Sequence, residues 1–357
     1  MAETARKRIY CFDLLKIISI FTVFMHHIMM DMYVIHPMHD LKVLENIIIR
    51  PNMNLGMIAC GLFVLISGAT ISLSKREESL SSFYKRRLMR VLIPFYISYT
   101  IYFIIKAITF KTIHMFGGIA KWRFIYTIIG LDEYLHANGI PTFTLGIGEW
   151  FLGCIILCYL LYPLLKWAHK KNSIITFIIM TLYFLLINFR YGSVNFVIPS
   201  HMNFFCQIYN FYLGIVLIDE RALSKMKKWL CIIAIPVVAF FYFYTTYIPI
   251  PDNIKTTIVI VAIFVIFYNL EDAISSVSWF RRFVVYFNKI SLEIFLVHHF
   301  VIYQVDYMLN YKKTSGIETF LIVIVDLVII IALAIVVEKL SSMAYRFVDQ
   351  SKTKRIK

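Results

Sequence analysis

The chain has 357 residues, a formal net charge of +15, 60% hydrophobic residues and only 16% charged ones. Its mean hydropathy is +0.74, whereas soluble domains carry roughly 25% charged residues, so the composition excludes an ordinary soluble fold. The positive surplus does not mark a nucleic-acid binder, because it is split into short runs between apolar segments with no continuous basic surface.

A helix needs roughly 20 apolar residues to cross a bilayer. Ten segments meet or approach that length: 9–30, 55–74, 91–110, 147–166, 173–189, 203–219, 229–248, 256–270, 285–308 and 319–341. With the N-terminus inside, the basic runs Arg6–Arg8, Lys85–Arg90, Lys166–Lys171, Arg221–Lys228 and the tail beyond Lys339 all fall on the cytosolic side. Only scattered cations such as Lys42, Arg50 and Lys111 fall outside. The expectation is an all-α polytopic membrane protein of about ten transmembrane helices. Both termini are expected in the cytosol, and residues 1–357 form one domain with no appended soluble domain. The first segment is long and lacks a small-residue cleavage site, so no cleavable signal peptide is expected. The six cysteines form no CxxC pair and read as buried free thiols, not metal ligands.

Several of these segments carry ionisable residues, which are costly within a bilayer unless they face a bundle interior or a wet cavity. The first carries Asp13, Lys16 and the pair His26-His27. At about 100° per residue, Lys16 and His27 fall within about 20° of one stripe, while His26 points about 80° away. Asp31 is an i+4 neighbour of His27, placed to fix the tautomer of an oriented general base. The residues alone leave two roles open for His27: that base, or an interfacial anchor for the helix end.

A basic cluster, FYKRRLMRVLIPFY (Phe83–Tyr96), precedes the third span. Topogenic anchoring accounts for Lys85 or Arg86, whereas Arg87 and Arg90 are three apart on one helix face and Arg90 is followed at once by apolar sequence. An arginine fork suits phosphate. The longest outer loop, about 111–148, contains Lys121–Tyr126 followed by Asp132, Glu133 and His136. It reads either as an interfacial helix or as a face for a sugar. In the ninth span Ser291 and His298 are seven apart, two turns along one face, with Glu293 nearby. Glu149 (GEWFLG) and Asp326 (VIVDLVI) are further acidic candidates.

Five fragments taken in order resemble the acyltransferase-3 family of bacterial membrane acyltransferases. Asp13-Leu-Leu-Lys16 is followed after ten residues by His27. Leu62-Phe-Val-Leu-Ile-Ser67-Gly68, Arg87-Leu-Met-Arg90-Val-Leu-Ile-Pro94, Trp150-Phe-Leu with Tyr159 and Pro163, and Ser291 to His298 complete the set. Lys16 departs from the family's usual arginine; it keeps the charge and loses the bidentate fork.

The resemblance implies transfer of an acetyl or other short acyl group to a hydroxyl of a cell-surface or lipid-linked glycan. The donor is cytosolic acetyl-CoA or another acyl-CoA, the setting is the bacterial cytoplasmic membrane, and no metal is implied. On that reading Arg87 and Arg90, with Arg86, hold CoA phosphates, and Lys16 lies along the donor path. His27, supported by Asp31, is the base; Ser291 and His298 orient the thioester or stabilise its oxyanion. An acyl-histidine intermediate is an open variant. The alternative function is a polysaccharide or lipid exporter with the same charges lining its path. The sequence assigns neither the acceptor's identity nor an oligomeric state.

Overall fold

A computed structural model describes residues 8–30, 53–74, 78–110, 117–219, 228–308 and 316–355. Among these residues the chain forms helices and no strand. Besides short helical turns such as Phe124–Ile128 and Glu271–Ser276, they are in order α1 (Tyr10–Met30), α2 (Leu55–Ser72), α3 (Leu80–Phe110), the short α4 (Asp132–Ala137), α5 (Glu149–Lys171) and α6 (Ser173–Phe189). They continue with α7 (Phe204–Leu217), α8 (Leu230–Phe243), α9 (Asp252–Asn269), α10 (Ser278–Lys289), α11 (Ser291–Met308) and α12 (Gly316–Arg355).

Among the described residues six helices are long and apolar enough to cross a membrane: α1, α2, α3, α5, α9 and α12. The α10–α11 pair counts as a seventh if it is one span, bent by 59°. The remaining expected segments coincide with α6, α7 and α8, whose 17, 14 and 14 residues fall short of the full length. The ninth segment breaks at Ile290. The third begins eleven residues earlier than expected, at Leu80, and the last runs on to Arg355. In both, charged helix-forming residues extend the helix past its apolar stretch.

α1 is the central element, packed against α2, α9, α10 and α11. Its first backbone donors need partners from elsewhere. Glu271 supplies them: its carboxylate accepts the N–H groups of Tyr10 (3.2 Å) and Cys11 (2.7 Å). Side-chain oxygens of Asn54, Asn172 and Asn203 cap α2, α6 and α7 in the ordinary local way.

The closest crossing joins α2 and α7. A Cβ on Gly68 would lie 2.0 Å from the Phe211 carbonyl oxygen, and one on Gly214 would lie 2.0 Å from that of Leu65. The two backbones therefore touch, as small residues permit between packed apolar helices. The Ser67-Gly68 fragment singled out in the sequence has its physical reason here.

α6 and α8 lie at the periphery. α6 buries only Phe184 and Asn188, and α8 only Ala234. Their large aliphatic side chains, Ile174 and Ile232 among them, stand exposed. So much open apolar surface needs an apolar solvent, which is consistent with an all-α membrane protein.

Candidate active site

The C-terminal end of α1 meets the start of α5 and the middle of α11. The meeting depends on an unusual turn before α5. Gly146 and Gly148 have φ of 76° and 77°, and Glu149 itself has φ 46°, which is rare for a residue with a side chain. Gly148's positive φ favours glycine, and a Cβ there would also lie 2.9 Å from the Leu152 Cβ and 3.2 Å from the Leu296 side chain of α11. The strained backbone at Glu149 is of the kind that persists where surrounding packing fixes a functional group.

Three imidazoles converge on that carboxylate. The Nε2 atoms of His27 and His298 each lie 3.2 Å from Glu149 Oε1, and His299 Nε2 lies 3.4 Å from the same atom. The His27 ring stands edge-on to His299, with centroids 3.9 Å apart. His298 is 1% exposed and its Nδ1 donates to the Phe295 carbonyl (2.7 Å), so its Nε2 is the atom turned to Glu149. His27 keeps a partly open flank, with 22% of its side chain exposed.

His26 diverges from His27, as helical spacing predicts. Its ring lies against α2, where a Cβ on Gly56 would come within 2.6 Å. Asp31, the expected partner of His27, lies outside the described residues. Ser291 is not in the cluster: it opens α11 about 10 Å along the axis from His298, and its hydroxyl donates to the Asn288 carbonyl (3.0 Å).

The N-terminal end of α1 is basic. Asp13 accepts from Arg8, and Lys16, one turn further on, lies within electrostatic range of Asp13, Arg8 and Arg87. Arg87 is half-buried on α3, its Nε enclosed without a hydrogen-bond partner, with Tyr159 and Tyr162 of α5 in its electrostatic surroundings. Arg90 is exposed on the same helix. Arg86 faces differently and pairs with Glu78. It lines a cavity of about 270 Å³ shared with Phe83, Tyr162, Lys166, Trp167 and Lys170. Lys166 and Lys170 were read in the sequence as topogenic charges only.

The expected outer loop folds, over residues 117–148, into short helical turns. α4 packs on α5, so closely that a Cβ on Gly153 would lie 2.4 Å from the Tyr134 Cβ. Trp122, Phe124 and Ile125 are exposed along one edge. Glu133 accepts from the Thr144 hydroxyl. Burial, then the neighbouring Asp132 and Glu149 charges, push its pKa up to about 7. Burial likewise raises Asp132 to about 6. His299 and the partnership with Glu149 escaped the sequence reading; the doublet His298-His299, a second His-His in one chain, was the available signal.

An enclosed carboxylate within hydrogen-bond distance of three imidazoles, at the far end of α1 from several cations, is an arrangement with the groups for acid–base chemistry. A family model described as an acyltransferase domain matches residues 9–339. The chain belongs to this acyltransferase-3 family. No curated protein matches it.

Proposed function

We propose that this protein is an integral-membrane O-acyltransferase, working as one domain. It moves an acetyl or other short acyl group from cytosolic acyl-CoA to a hydroxyl of a surface or lipid-linked glycan. The observation that carries the reading is the convergence of His27, His298 and His299 on Glu149, in a chain of acyltransferase lineage.

In this reading His27 donates its Nε2–H to Glu149, and its other ring nitrogen, Nδ1, takes the proton from the acceptor hydroxyl as that oxygen attacks the thioester carbonyl. The C–S bond breaks, and the leaving thiolate recovers that proton from His27. Glu149, in the place expected for Asp31, orients the ring and balances the transient imidazolium. His298, held by the Phe295 carbonyl, lines the opposite wall.

The donor enters from the basic end. Lys16 and His27 are eleven residues apart, about 16 Å along the helix, a distance comparable to an extended pantetheine arm. Arg87 and Arg90 face the phosphates. The cavity lined by Lys166, Lys170 and Trp167, with Arg86 held by Glu78 in its wall, offers two lysines beside an aromatic surface for the nucleotide end. Ten membrane crossings, with both termini in the cytosol, put this end inside and the histidines near the outer face.

The test is transfer of radiolabelled acetyl from acetyl-CoA by purified protein, with cell-wall or lipid-linked glycan as acceptor. His27→Ala is expected to lower turnover about a thousandfold while the protein stays folded. Wild-type turnover in that variant removes His27 from the chemistry. An exporter would show no acyl transfer by pure protein at all.

A further inference from the structure

The same cluster has the composition of a metal centre. We propose that His27, Glu149, His298 and His299 form a binding site for a divalent transition metal of the zinc type. Occupation would arrest the enzyme, because a His27 ring that ligates through Nε2 carries its hydrogen on Nδ1 and has no lone pair left to take a proton.

The four ligand atoms, three imidazole nitrogens and one carboxylate oxygen, lie within 4.8 Å of one another. A tetrahedral zinc site with bonds of about 2.0–2.1 Å has edges of about 3.4 Å. The three edges that meet at Glu149 Oε1 are already 3.2, 3.2 and 3.4 Å. Small ring rotations bring in the wider nitrogen–nitrogen edges.

Proton bookkeeping at His298 supports a cation here. Its Nδ1 partner is a carbonyl, which accepts only, so Nδ1 carries the hydrogen. In the neutral ring Nε2 is then a bare lone pair, 3.2 Å from a carboxylate oxygen that is another. The Nε2 atoms of His298 and His299 and Oε1 of Glu149 are all buried without a well-formed hydrogen bond. Acceptors facing acceptors need a proton or a metal between them. Anchoring Nδ1 on a backbone carbonyl is also how metal-binding histidines are commonly held.

The donor set selects the ion. Three imidazoles and one carboxylate suit zinc, cobalt, nickel or copper, whereas magnesium and calcium prefer all-oxygen shells. The partly open flank of His27 gives an ion a way in.

The metal-binding claim does not depend on acyl transfer; the inhibition rests on His27 acting as the base. The experiment uses the purified full chain in detergent, stripped with a chelator, then equilibrated with micromolar Zn²⁺ and desalted. Elemental analysis is expected to find about one zinc per chain, and Co²⁺ in its place should give the intense visible bands of a tetrahedral site. The double variant His298→Gln, His299→Gln should weaken binding at least tenfold. Absence of zinc on the wild type, or equal zinc on a folded double variant, overturns the site. Should the variant not fold, X-ray absorption of the wild-type complex decides, and a spectrum without imidazole scattering overturns it as well. In acetyl transfer, Zn²⁺ should inhibit with the midpoint at which it binds. A loaded enzyme that turns over normally leaves the metal site standing and overturns the role of His27 as base.

Discussion

The two ends of α1 are built on opposite electrostatic plans. At the C-terminal end, three imidazoles share one carboxylate, and everything is held at hydrogen-bond range. At the N-terminal end, Lys16 lies within range of Asp13, Arg8 and Arg87, with Arg90 beside Arg87, while Asp13 is engaged by Arg8 and Glu271 by the first N–H groups of α1. A site for chemistry needs groups fixed to fractions of an ångström. A site for a polyanion needs charge left over. The difference teaches that one helix can serve both because its two ends are separated by about two and a half turns without a charged residue, Ile17 to Met25, whose polar side chains are the hydroxyls of Ser19 and Thr22.

The sharpest way to break this comparison is to remove the one shared anion. Glu149→Gln should lower the turnover number by about 10²–10³ with little change in KM for the donor, measured in the acetyl-transfer assay. A turnover within threefold of wild type would mean that the histidines do not depend on their carboxylate.

Next comes the frame that both ends hang on. Gly68→Val drives side-chain atoms into the Phe211 carbonyl. Overpacking of this kind costs about 1–3 kcal/mol or more, and lower folded yield and melting temperature in detergent should report it. An unchanged melting temperature would mean that the α2–α7 crossing is looser than the structure has it.

At the basic end the effect should be smaller and of a different kind. Arg87→Ala should raise KM for acetyl-CoA about tenfold and leave the turnover number nearly intact, the reverse of Glu149→Gln. Equal losses in both parameters would collapse the distinction between the two ends.

The smallest effect concerns the loop beside the histidines. Glu133, raised to about 7 by burial and by its acidic neighbours, is favoured in its protonated form by the fold. Its contribution to stability is full below the unfolded value near 4.5 and is lost as pH rises through about 7. Melting temperature should therefore fall between pH 5 and pH 8, and Glu133→Gln should reduce that fall by about 2 °C. An identical pH profile in the variant would place this carboxyl in water.

Much of the bundle was legible because apolar runs are long and helix caps are local. Asn54, Asn172 and Asn203 stand where helices begin. The errors have one cause. The reading let Lys85–Arg90 and the segment after Lys339 mark the ends of spans, yet a helix ends at a cap or a breaker and not at a charge, so α3 and α12 run on. Within the site, helical periodicity separated His27 from His26 because both lie on one element. It could not point to Glu149 as a partner of His27, since i+4 neighbours are visible in a sequence and partners on α5 and α11 are not. Glu149 was noticed only as a costly acid near a helix start. Ser291 and His298 share a face, but the two turns between them leave the serine at the helix start, bonded to the Asn288 carbonyl and away from the cluster.

The cap on α1 has a consequence for how the chain is made. Tyr10 and Cys11 leave the ribosome some 260 residues before Glu271, whose carboxylate satisfies their N–H groups. Truncations that stop short of Glu271 should therefore carry α1 without this cap, and the placement of His27 at the far end of the same helix should loosen with it.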